Sequence, residues 1–136
     1  MATRCLIIDD SDHFLVVARE LLQREGFAVV GVAATAADAV LRVDEARPDV
    51  ALVDIDLGQE SGFDVARRLT ESSHPPRIIL ISAYAEKDFM EMIADSPAIG
   101  FLPKSALSGT AIRELLSHPP GSLDGSTGQD RDGGSP

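Results

Sequence analysis

Short runs of consecutive apolar residues alternate along the chain with segments in which apolar residues recur at helical spacing. The apolar runs have the length of strands and occupy residues 5–8, 27–32, 50–53, 78–81 and 99–102. After each run, apolar side chains recur every three or four residues, at residues 14–22, 36–43, 63–69, 89–93 and 111–116. The pattern therefore predicts five successive strand–helix units.

The apolar character of the runs indicates the fold class. Strands that are apolar along their whole length are covered on both faces, which is typical of a parallel sheet between two layers of helices. Right-handed crossover connections then predict an α/β fold, a doubly wound (βα)5 sandwich. Ligands of such sheets bind beyond the carboxyl ends of the strands, so functional residues are expected there.

The composition changes after Ser117. Residues 119–136 contain five Gly, three Pro and three Ser, and Leu123 is the one large apolar residue among them. Such a segment cannot offset its ordering entropy by burial. We therefore expect one folded domain over residues 2–117 and a disordered tail over residues 118–136.

Charge and cysteine content exclude several classes of function. The 136 residues include 22 acidic and 12 basic side chains, a formal net charge of −10, so we expect no direct binding to nucleic acid. Since no apolar run approaches the length of a membrane-spanning helix, we expect no membrane partner. Cys5 is the single cysteine, which excludes an internal disulfide and fits a reducing cytoplasm.

Side chains that can act on a phosphoryl group follow four of the five predicted strands. They are Asp9, Asp10, Asp54, Asp56, Ser82 and Lys104. Oxygen ligands without a neighbouring Cys or His favour Mg²⁺, so the acidic residues predict a magnesium site. A carboxylate beside that site can accept a phosphoryl group, and the hydroxyl and the ammonium can stabilise its oxygens. The pattern therefore predicts reversible phosphorylation of an aspartate.

The sequence resembles the receiver domains of bacterial response regulators, the phosphorylated components of two-component signalling, over nearly all of residues 3–117. The residues that carry the resemblance are Asp9-Asp10, Asp54, Gly62, Ser82-Ala83 and Lys104. The resemblance implies a chemotaxis-regulator-like sheet with strand order 2-1-3-4-5. It also implies a cytoplasmic signalling protein that is no enzyme, beyond catalysing its own phosphorylation and dephosphorylation.

The resemblance implies a role for each residue at the strand ends. Asp54 would be the phosphoacceptor, and Ser82 and Lys104 would bind the phosphoryl oxygens. The implied ligands of Mg²⁺ are Asp9, Asp10, Asp54 and the backbone carbonyl of Asp56. Because Asp is also favoured at helix N-caps, capping of the first helix by Asp9 or Asp10 stays an alternative or additional role.

Two further features are implied by the same resemblance. Ser82 and Phe101 would form a switch in which Phe101 turns inward after phosphorylation, although plain core packing of Phe101 stays an alternative. Asp56 and Tyr84 occupy positions that tune reaction rates in the family, and a surface aromatic is the alternative for Tyr84. The apolar residues of the predicted fourth helix cannot all lie on one buried stripe, so one or two of Phe89, Met90, Met92 and Ile93 are expected to face a partner, although a thick core face stays an alternative.

The implied partners are proteins. A sensor histidine kinase or a phosphotransfer protein would donate the phosphoryl group. A downstream protein or a second copy of the chain would bind through the fourth helix, the fifth strand and the fifth helix. Residues 100–107 resemble receivers that are joined to a helix-turn-helix DNA-binding domain, so a single-domain regulator and a fragment of a longer protein both stay open.

The sequence departs from the family at two places, and two other functions stay as alternatives. Leu57-Gly58 stands where Met-Pro is common, and Pro103-Lys104-Ser105 reverses the usual Lys-Pro, which leaves either isomer of the Lys104–Ser105 bond open. Asp54-Ile55-Asp56 resembles the nucleophile loop of haloacid-dehalogenase-like phosphatases, although the order of the acids along the chain argues against that family. The other alternative is a receiver-fold interaction module that does not use phosphate.

Overall fold

A five-stranded parallel sheet lies between two layers of helices in the computed structural model, which describes residues 2–117. The strands of the sheet are β1 (Arg4–Ile8), β2 (Ala28–Ala33), β3 (Val50–Asp54), β4 (Arg77–Ser82) and β5 (Gly100–Pro103). Their order is β2-β1-β3-β4-β5, and all neighbours are parallel. The predicted doubly wound sandwich and its strand order are confirmed, whereas the predicted tail at residues 118–136 lies outside the described residues.

Hydroxyl side chains fix the start of four helices. The helices are α1 (Asp12–Arg24), α2 (Ala36–Ala46), α3 (Gly62–Leu69), α4 (Met90–Ala94) and α5 (Gly109–Leu116). The N-cap hydroxyls of α1, α2, α3 and α5 accept backbone N–H bonds and belong to Ser11, Thr35, Ser61 and Ser108. Since Ser11 caps α1, the alternative that Asp9 or Asp10 is its cap is wrong.

Alternate residues of each strand face opposite helical layers. On β1, Leu6 and Ile8 belong to a buried cluster with residues of α2 and α3, and Cys5 and Ile7 to a second cluster with residues of α1 and α5. Both faces of the sheet are therefore covered, as the continuous apolar runs predict. Burial raises the pKa of the Cys5 thiol to about 12, which makes Cys5 a core residue rather than a nucleophile.

The fourth helix is short and leaves apolar side chains at the surface. A 3₁₀ turn (Glu86–Asp88) precedes α4, which ends three residues before Pro97. Met90 and Met92 are more than half exposed. The apolar residues of this helix are thus not all buried, and the expectation that one or two of them face a partner stays a prediction. Among residues 2–117, no helix has the length and apolar character needed to cross a bilayer.

Candidate functional site

The carboxyl ends of four strands bring the predicted residues together at one edge of the sheet. Asp9 follows β1, Asp54 and Ser82 end β3 and β4, and Lys104 follows β5. Asp9, Asp54 and Ser82 are buried, whereas Asp10 is exposed at the rim. Buried polar side chains are costly unless they are paired or bind a ligand, so this edge is the candidate functional site.

Three carboxylates at this edge form a cluster suited to a cation. One oxygen each of Asp9, Asp10 and Asp54 lies within 4.8 Å of the others. Asp9 Oδ1 accepts a hydrogen bond from the Ser11 N–H at 2.8 Å, and the buried Asp9 Oδ2 lies against the Lys104 ammonium. Three hard oxygen donors that lie this close together fit Mg²⁺.

Lys104 provides the positive charge of the site. Its Nζ lies 2.7 Å from Asp9 Oδ2, an ion-pair contact, and 3.2 Å from Asp54 Oδ2. Burial lowers the pKa of Lys104, but the hydrogen bond with Asp9 and the charges of Asp54 and Asp9 raise it more, so that the pKa lies above its ordinary value. Lys104 therefore stays an ammonium. The bond from Lys104 to Ser105 is trans, because no peptide bond among the described residues is cis.

Asp54 has an elevated pKa of about 6. Burial is the main cause, and the charge of Asp9 raises the pKa further. The N–H of Asp56, which donates to Asp54 Oδ1 at 3.1 Å, and the Lys104 ammonium lower it. Above pH 6 the side chain is mostly ionised, so a carboxylate nucleophile is present at neutral pH.

The elevated pKa of Asp54 predicts a loss of stability with rising pH in the metal-free protein. The folded state holds the Asp54 proton more tightly than the unfolded chain, whose carboxyl has the ordinary pKa of 3.8. The stabilisation of the folded state by this tighter proton binding is therefore complete below pH 3.8 and is lost as the pH rises through 6. We expect Asp54→Asn to gain stability relative to the wild type across this window, by about 3 kcal/mol at pH 7.

Urea unfolding in the presence of a chelator between pH 4 and pH 7 measures this difference. The matched control is Asp64→Asn on α3, because Asp64 is exposed and its ion pair is with Arg67 of the same helix, away from the site. Asp64→Asn should follow the wild-type curve across the whole range. A constant difference between Asp54→Asn and the wild type from pH 4 to pH 7 would contradict the elevated pKa.

A short hairpin that was not predicted from the sequence follows β3. Residues Asp56–Leu57 pair with Glu60–Ser61 in antiparallel fashion. Gly58 has φ +74° at the first position of the two-residue turn, where type II′ hairpins place glycine, and its N–H donates to Asp56 Oδ1 at 3.1 Å. Proline, which is common in the resembled family at the position of Gly58, cannot adopt this φ. The departure at Leu57-Gly58 therefore reflects a different loop conformation and does not indicate that the functional site has been lost.

The hairpin is tied to a neighbouring helix. Glu60 Oε1 accepts a hydrogen bond from the N–H of Ala36, the first residue of α2, at 2.8 Å. This carboxylate therefore satisfies a free backbone donor at the start of α2, where the helix dipole also favours negative charge. Glu60 was not predicted as a site residue, and its position after a Gly-containing turn was the available signal.

Gly62 allows the start of α3 to approach the acceptor strand. A Cβ at this position would lie 1.9 Å from the carbonyl oxygen of Asp54, and the Gly62 N–H donates to the Ile55 carbonyl at 2.7 Å. Steric contact with the backbone therefore explains why a glycine stands eight residues after Asp54. Any side chain would push α3 away from the backbone that carries Asp54.

Gly62→Ala is expected to destabilise the fold by about 3 kcal/mol, the upper part of the usual range for overpacking. Gly31→Ala is the matched control, since a Cβ on Gly31 of β2 would meet only side-chain atoms, at 3.4 Å and beyond. Urea unfolding of both variants measures the difference. Equal stability of the two variants would contradict the close approach at Gly62.

Ser82, Tyr84 and Phe101 occupy the remaining predicted positions. Ser82 Oγ accepts a hydrogen bond from the Tyr84 N–H at 3.0 Å. The Tyr84 side chain is 61% exposed, and its ring lies 6.4 Å from that of Phe89. Phe101 is only 7% exposed and belongs to the cluster on the α2 and α3 side of the sheet. The ring of Phe101 is thus already inward, whereas the predicted switch has it turn inward after phosphorylation.

One contact of the Lys104 ammonium was not predicted from the sequence. Lys104 Nζ lies 4.4 Å from the centroid of the Phe14 ring, within the range of a cation–π interaction. The helical spacing of the apolar residues predicted only that Phe14 belongs to the first helix. Its position in the first turn after Asp9-Asp10 was the signal that could have placed it at this edge.

Comparison with known proteins indicates one family. The family model described as response regulator receiver domain matches residues 5–116. The chemotaxis protein CheY of Bacillus subtilis is 29% identical over 104 residues, 76% of this chain and 87% of CheY. The transcriptional regulatory protein PdtaR of Mycobacterium tuberculosis is 28% identical over 101 residues, 74% of this chain and 49% of PdtaR. The chain thus spans about half the length of PdtaR.

Solved structures agree with this result. The signal receiver domain of the response regulator NarL from Mycobacterium tuberculosis superposes with a TM-score of 0.72 at 29% identity, covering 85% of this chain and 94% of that one. A LuxR-family two-component response regulator from Aurantimonas sp. SI85-9A1 gives a TM-score of 0.75 at 24% identity over 86% of this chain and 84% of that one, a likeness in fold alone. The comparisons give no support to the phosphatase alternative.

Proposed function

The chain belongs to the response regulator receiver domain family of two-component systems, and we propose from this that it accepts a phosphoryl group on Asp54 with the help of Mg²⁺. The observation that carries the proposal is the surroundings of the Asp54 carboxylate. Lys104 Nζ lies 3.2 Å from Asp54 Oδ2, and oxygens of Asp9 and Asp10 lie within 4.8 Å of an Asp54 oxygen. A nucleophile, a fixed cation and a set of metal ligands therefore converge on one point.

The proposed reaction is a displacement at phosphorus. A carboxylate oxygen of Asp54 attacks the phosphorus of the donor, the new P–O bond forms, and the bond to the leaving group breaks, so that the leaving group keeps the electron pair. Water later attacks the same phosphorus, which releases inorganic phosphate and restores the carboxylate. The donor in the cell would be a phosphohistidine of a sensor kinase or of a phosphotransfer protein.

Four groups of this edge would hold Mg²⁺. They are the carboxylates of Asp9, Asp10 and Asp54 and the backbone carbonyl of Asp56. When bound, the cation offsets the negative charge shared by the carboxylates and the phosphoryl oxygens. The carboxylates fit this role because they are hard oxygen donors and one oxygen of each lies within 4.8 Å of the others.

Lys104 and Ser82 would stabilise the transferred group. Phosphorylation replaces one carboxylate charge by a group with a charge of about −1.5 to −2 and strong acceptor oxygens. Lys104, already 3.2 Å from Asp54, can pair with an oxygen of the new group without a large movement. The Ser82 hydroxyl can donate to another oxygen if it turns away from the Tyr84 N–H, which links the site to the loop after β4.

We propose that this movement passes the signal to proteins at the surface formed by α4, β5 and α5. Ser82 and Phe101 would be the moving parts, and because Phe101 is already buried, the change would begin from the hydroxyl and the loop. Asp56 and Tyr84 would tune the reaction rates. The exposed Met90 and Met92 of α4 are suited to an adaptable apolar contact with a downstream protein or a second copy.

Residues 2–117 would form the receiver domain, acting in the cytoplasm as a signalling module. Receiver domains are generally not enzymes toward other substrates, and the only catalysis proposed here is phosphorylation and dephosphorylation of Asp54 itself.

Intact-protein mass after incubation with acetyl phosphate and Mg²⁺ tests the proposal. One added phosphoryl group, absent when a chelator removes the metal, is the expected result. Consumption of the donor without an adduct would indicate either rapid hydrolysis of the adduct or a phosphatase. Asp56→Ala separates the two, because it should abolish turnover in a phosphatase but leave phosphorylation of a receiver possible. If the protein neither forms an adduct nor consumes the donor, even with a phosphorylated histidine kinase, the chain is an interaction module and the proposal is wrong.

A further inference from the structure

We propose that Phe14 is a positioning residue that holds the Lys104 ammonium in place for phosphoryl transfer through a cation–π contact. The proposal rests on the proposed function and adds a residue to its machinery. Lys104 Nζ lies 4.4 Å from the centroid of the Phe14 ring, well inside the distance of about 6 Å at which such contacts are attractive.

The ring completes the surroundings of the ammonium. Two carboxylate oxygens lie close to Nζ, Asp9 Oδ2 at 2.7 Å and Asp54 Oδ2 at 3.2 Å, and the Phe14 ring provides a third neighbour. The Lys104 side chain is only 21% exposed. A cation–π contact is stronger when the cation is removed from water, so this partly buried site favours it.

The fold gives the Phe14 ring a fixed place. Phe14 lies in the first turn of α1, and its N–H donates to the Ser11 hydroxyl that caps the helix. The ring is half-buried and packs against the cluster between the sheet and the α1 and α5 layer. The chain that supplies Asp9 and Asp10 therefore also places the ring beside the ammonium.

Phosphorylation of Asp54 changes the ion pairs of Lys104 but not its contact with the Phe14 ring. When Asp54 becomes an acyl phosphate, its carboxylate contact with Lys104 is replaced by contacts with phosphoryl oxygens. The attraction between Lys104 and Phe14 does not depend on whether Asp54 carries a phosphoryl group. Phe14 therefore keeps the ammonium at the acceptor before, during and after transfer, whereas without it the flexible lysine can pair with Asp9 alone.

The rate of phosphorylation by acetyl phosphate tests this role without a kinase that also has to dock. Phe14→Leu keeps an apolar side chain but removes the aromatic face, and we expect the rate constant to fall about tenfold. Phe14→Tyr keeps the face and should retain most of the rate. Phe27→Leu is the matched control, because Phe27 lies under Arg113 at 4.6 Å, outside the site, and is more deeply buried. It should react at the wild-type rate.

Fluorinated phenylalanines at position 14 separate electrostatics from packing. Each added fluorine withdraws electron density from the ring face and changes the shape little, so a merely structural role would leave the rate unchanged. We expect the rate constant to fall stepwise with one, two and three fluorines. A flat series, or an equal loss in Phe14→Leu and Phe27→Leu, would overturn the proposal.

Nuclear magnetic resonance tests the contact itself without any phosphodonor. The chain has two lysines, Lys87 and Lys104, so lysine-labelled protein gives two sets of side-chain signals. The ring should shift the ε-methylene protons of Lys104 upfield, and Phe14→Leu should remove that shift. No shift in the wild type would overturn the proposal. If the wild type forms no adduct, the proposed function fails, and the role of Phe14 in transfer fails with it. If only the Phe14 role fails, the wild type is still phosphorylated and Phe14→Leu reacts no more slowly than Phe27→Leu.

Discussion

Asp54→Asn is expected to abolish phosphoryl uptake from acetyl phosphate while the protein stays folded. An amide is far less nucleophilic than a carboxylate, and the buried position of Asp54 leaves room for a side chain of the same shape. The substitution also removes a buried charge whose pKa is raised to about 6, so it should not destabilise the fold. Intact-protein mass with and without Mg²⁺ measures the adduct.

One control variant and one built-in probe sharpen this experiment. Asp64→Asn removes an exposed carboxylate of α3 and should be phosphorylated like the wild type. Tyr84 is the single tyrosine of a chain without tryptophan, and its N–H donates to Ser82 Oγ, so its fluorescence offers a built-in probe of Mg²⁺ binding. An adduct that persists in Asp54→Asn would show that another residue accepts the phosphoryl group.

The placement of the main site residues could be predicted from the sequence because the parallel arrangement of the strands largely determines it. Asp9, Asp54, Ser82 and Lys104 belong to segments far apart along the chain, but each stands at the carboxyl end of a strand. Those ends share one edge once all strands run parallel, and continuous apolar runs are sufficient to predict that arrangement. No side-chain detail was needed for this step.

Features that depend on particular backbone angles or rotamers were not accessible in the same way. The hairpin after β3 depends on a positive φ at Gly58, and a glycine in the sequence allows many conformations without selecting one. A phenylalanine at the edge of the sheet can pack into the core or point outward. The inward orientation of the Phe101 ring therefore depends on the packing of its neighbours. The resemblance supplied a role for Phe101 but not its orientation.

The contact between Phe14 and Lys104 shows a further limit of periodicity. Helical spacing indicates which residues of α1 face the sheet, but it does not distinguish a ring over the apolar core from a ring at the polar edge. Phe14 is half-buried and touches both. The difference arises from its location in the first turn, where the buried face of the helix meets the strand ends.

Lys104→Met is expected to slow phosphoryl transfer about 100-fold, the usual effect of removing one donor to a developing negative charge. Methionine fills a similar volume but carries no charge, so Asp9 and Asp54 would face each other without their shared cation. Breaking a largely buried ion pair by removing one partner costs about 3 kcal/mol, so the metal-free variant should also be destabilised at pH 7. The rate of adduct formation and urea unfolding measure the two effects.

Two further variants separate the loss of rate from the loss of stability. Lys87→Met removes the other lysine, an exposed residue of the 3₁₀ turn before α4, and should change neither quantity. The double variant Lys104→Met with Asp54→Asn removes one of the two facing carboxylates and should recover most of the stability without recovering transfer. If Lys104→Met were phosphorylated at the wild-type rate, the ammonium would serve only to neutralise Asp9 and Asp54 in the resting fold, and transfer would depend on the metal and Ser82 alone.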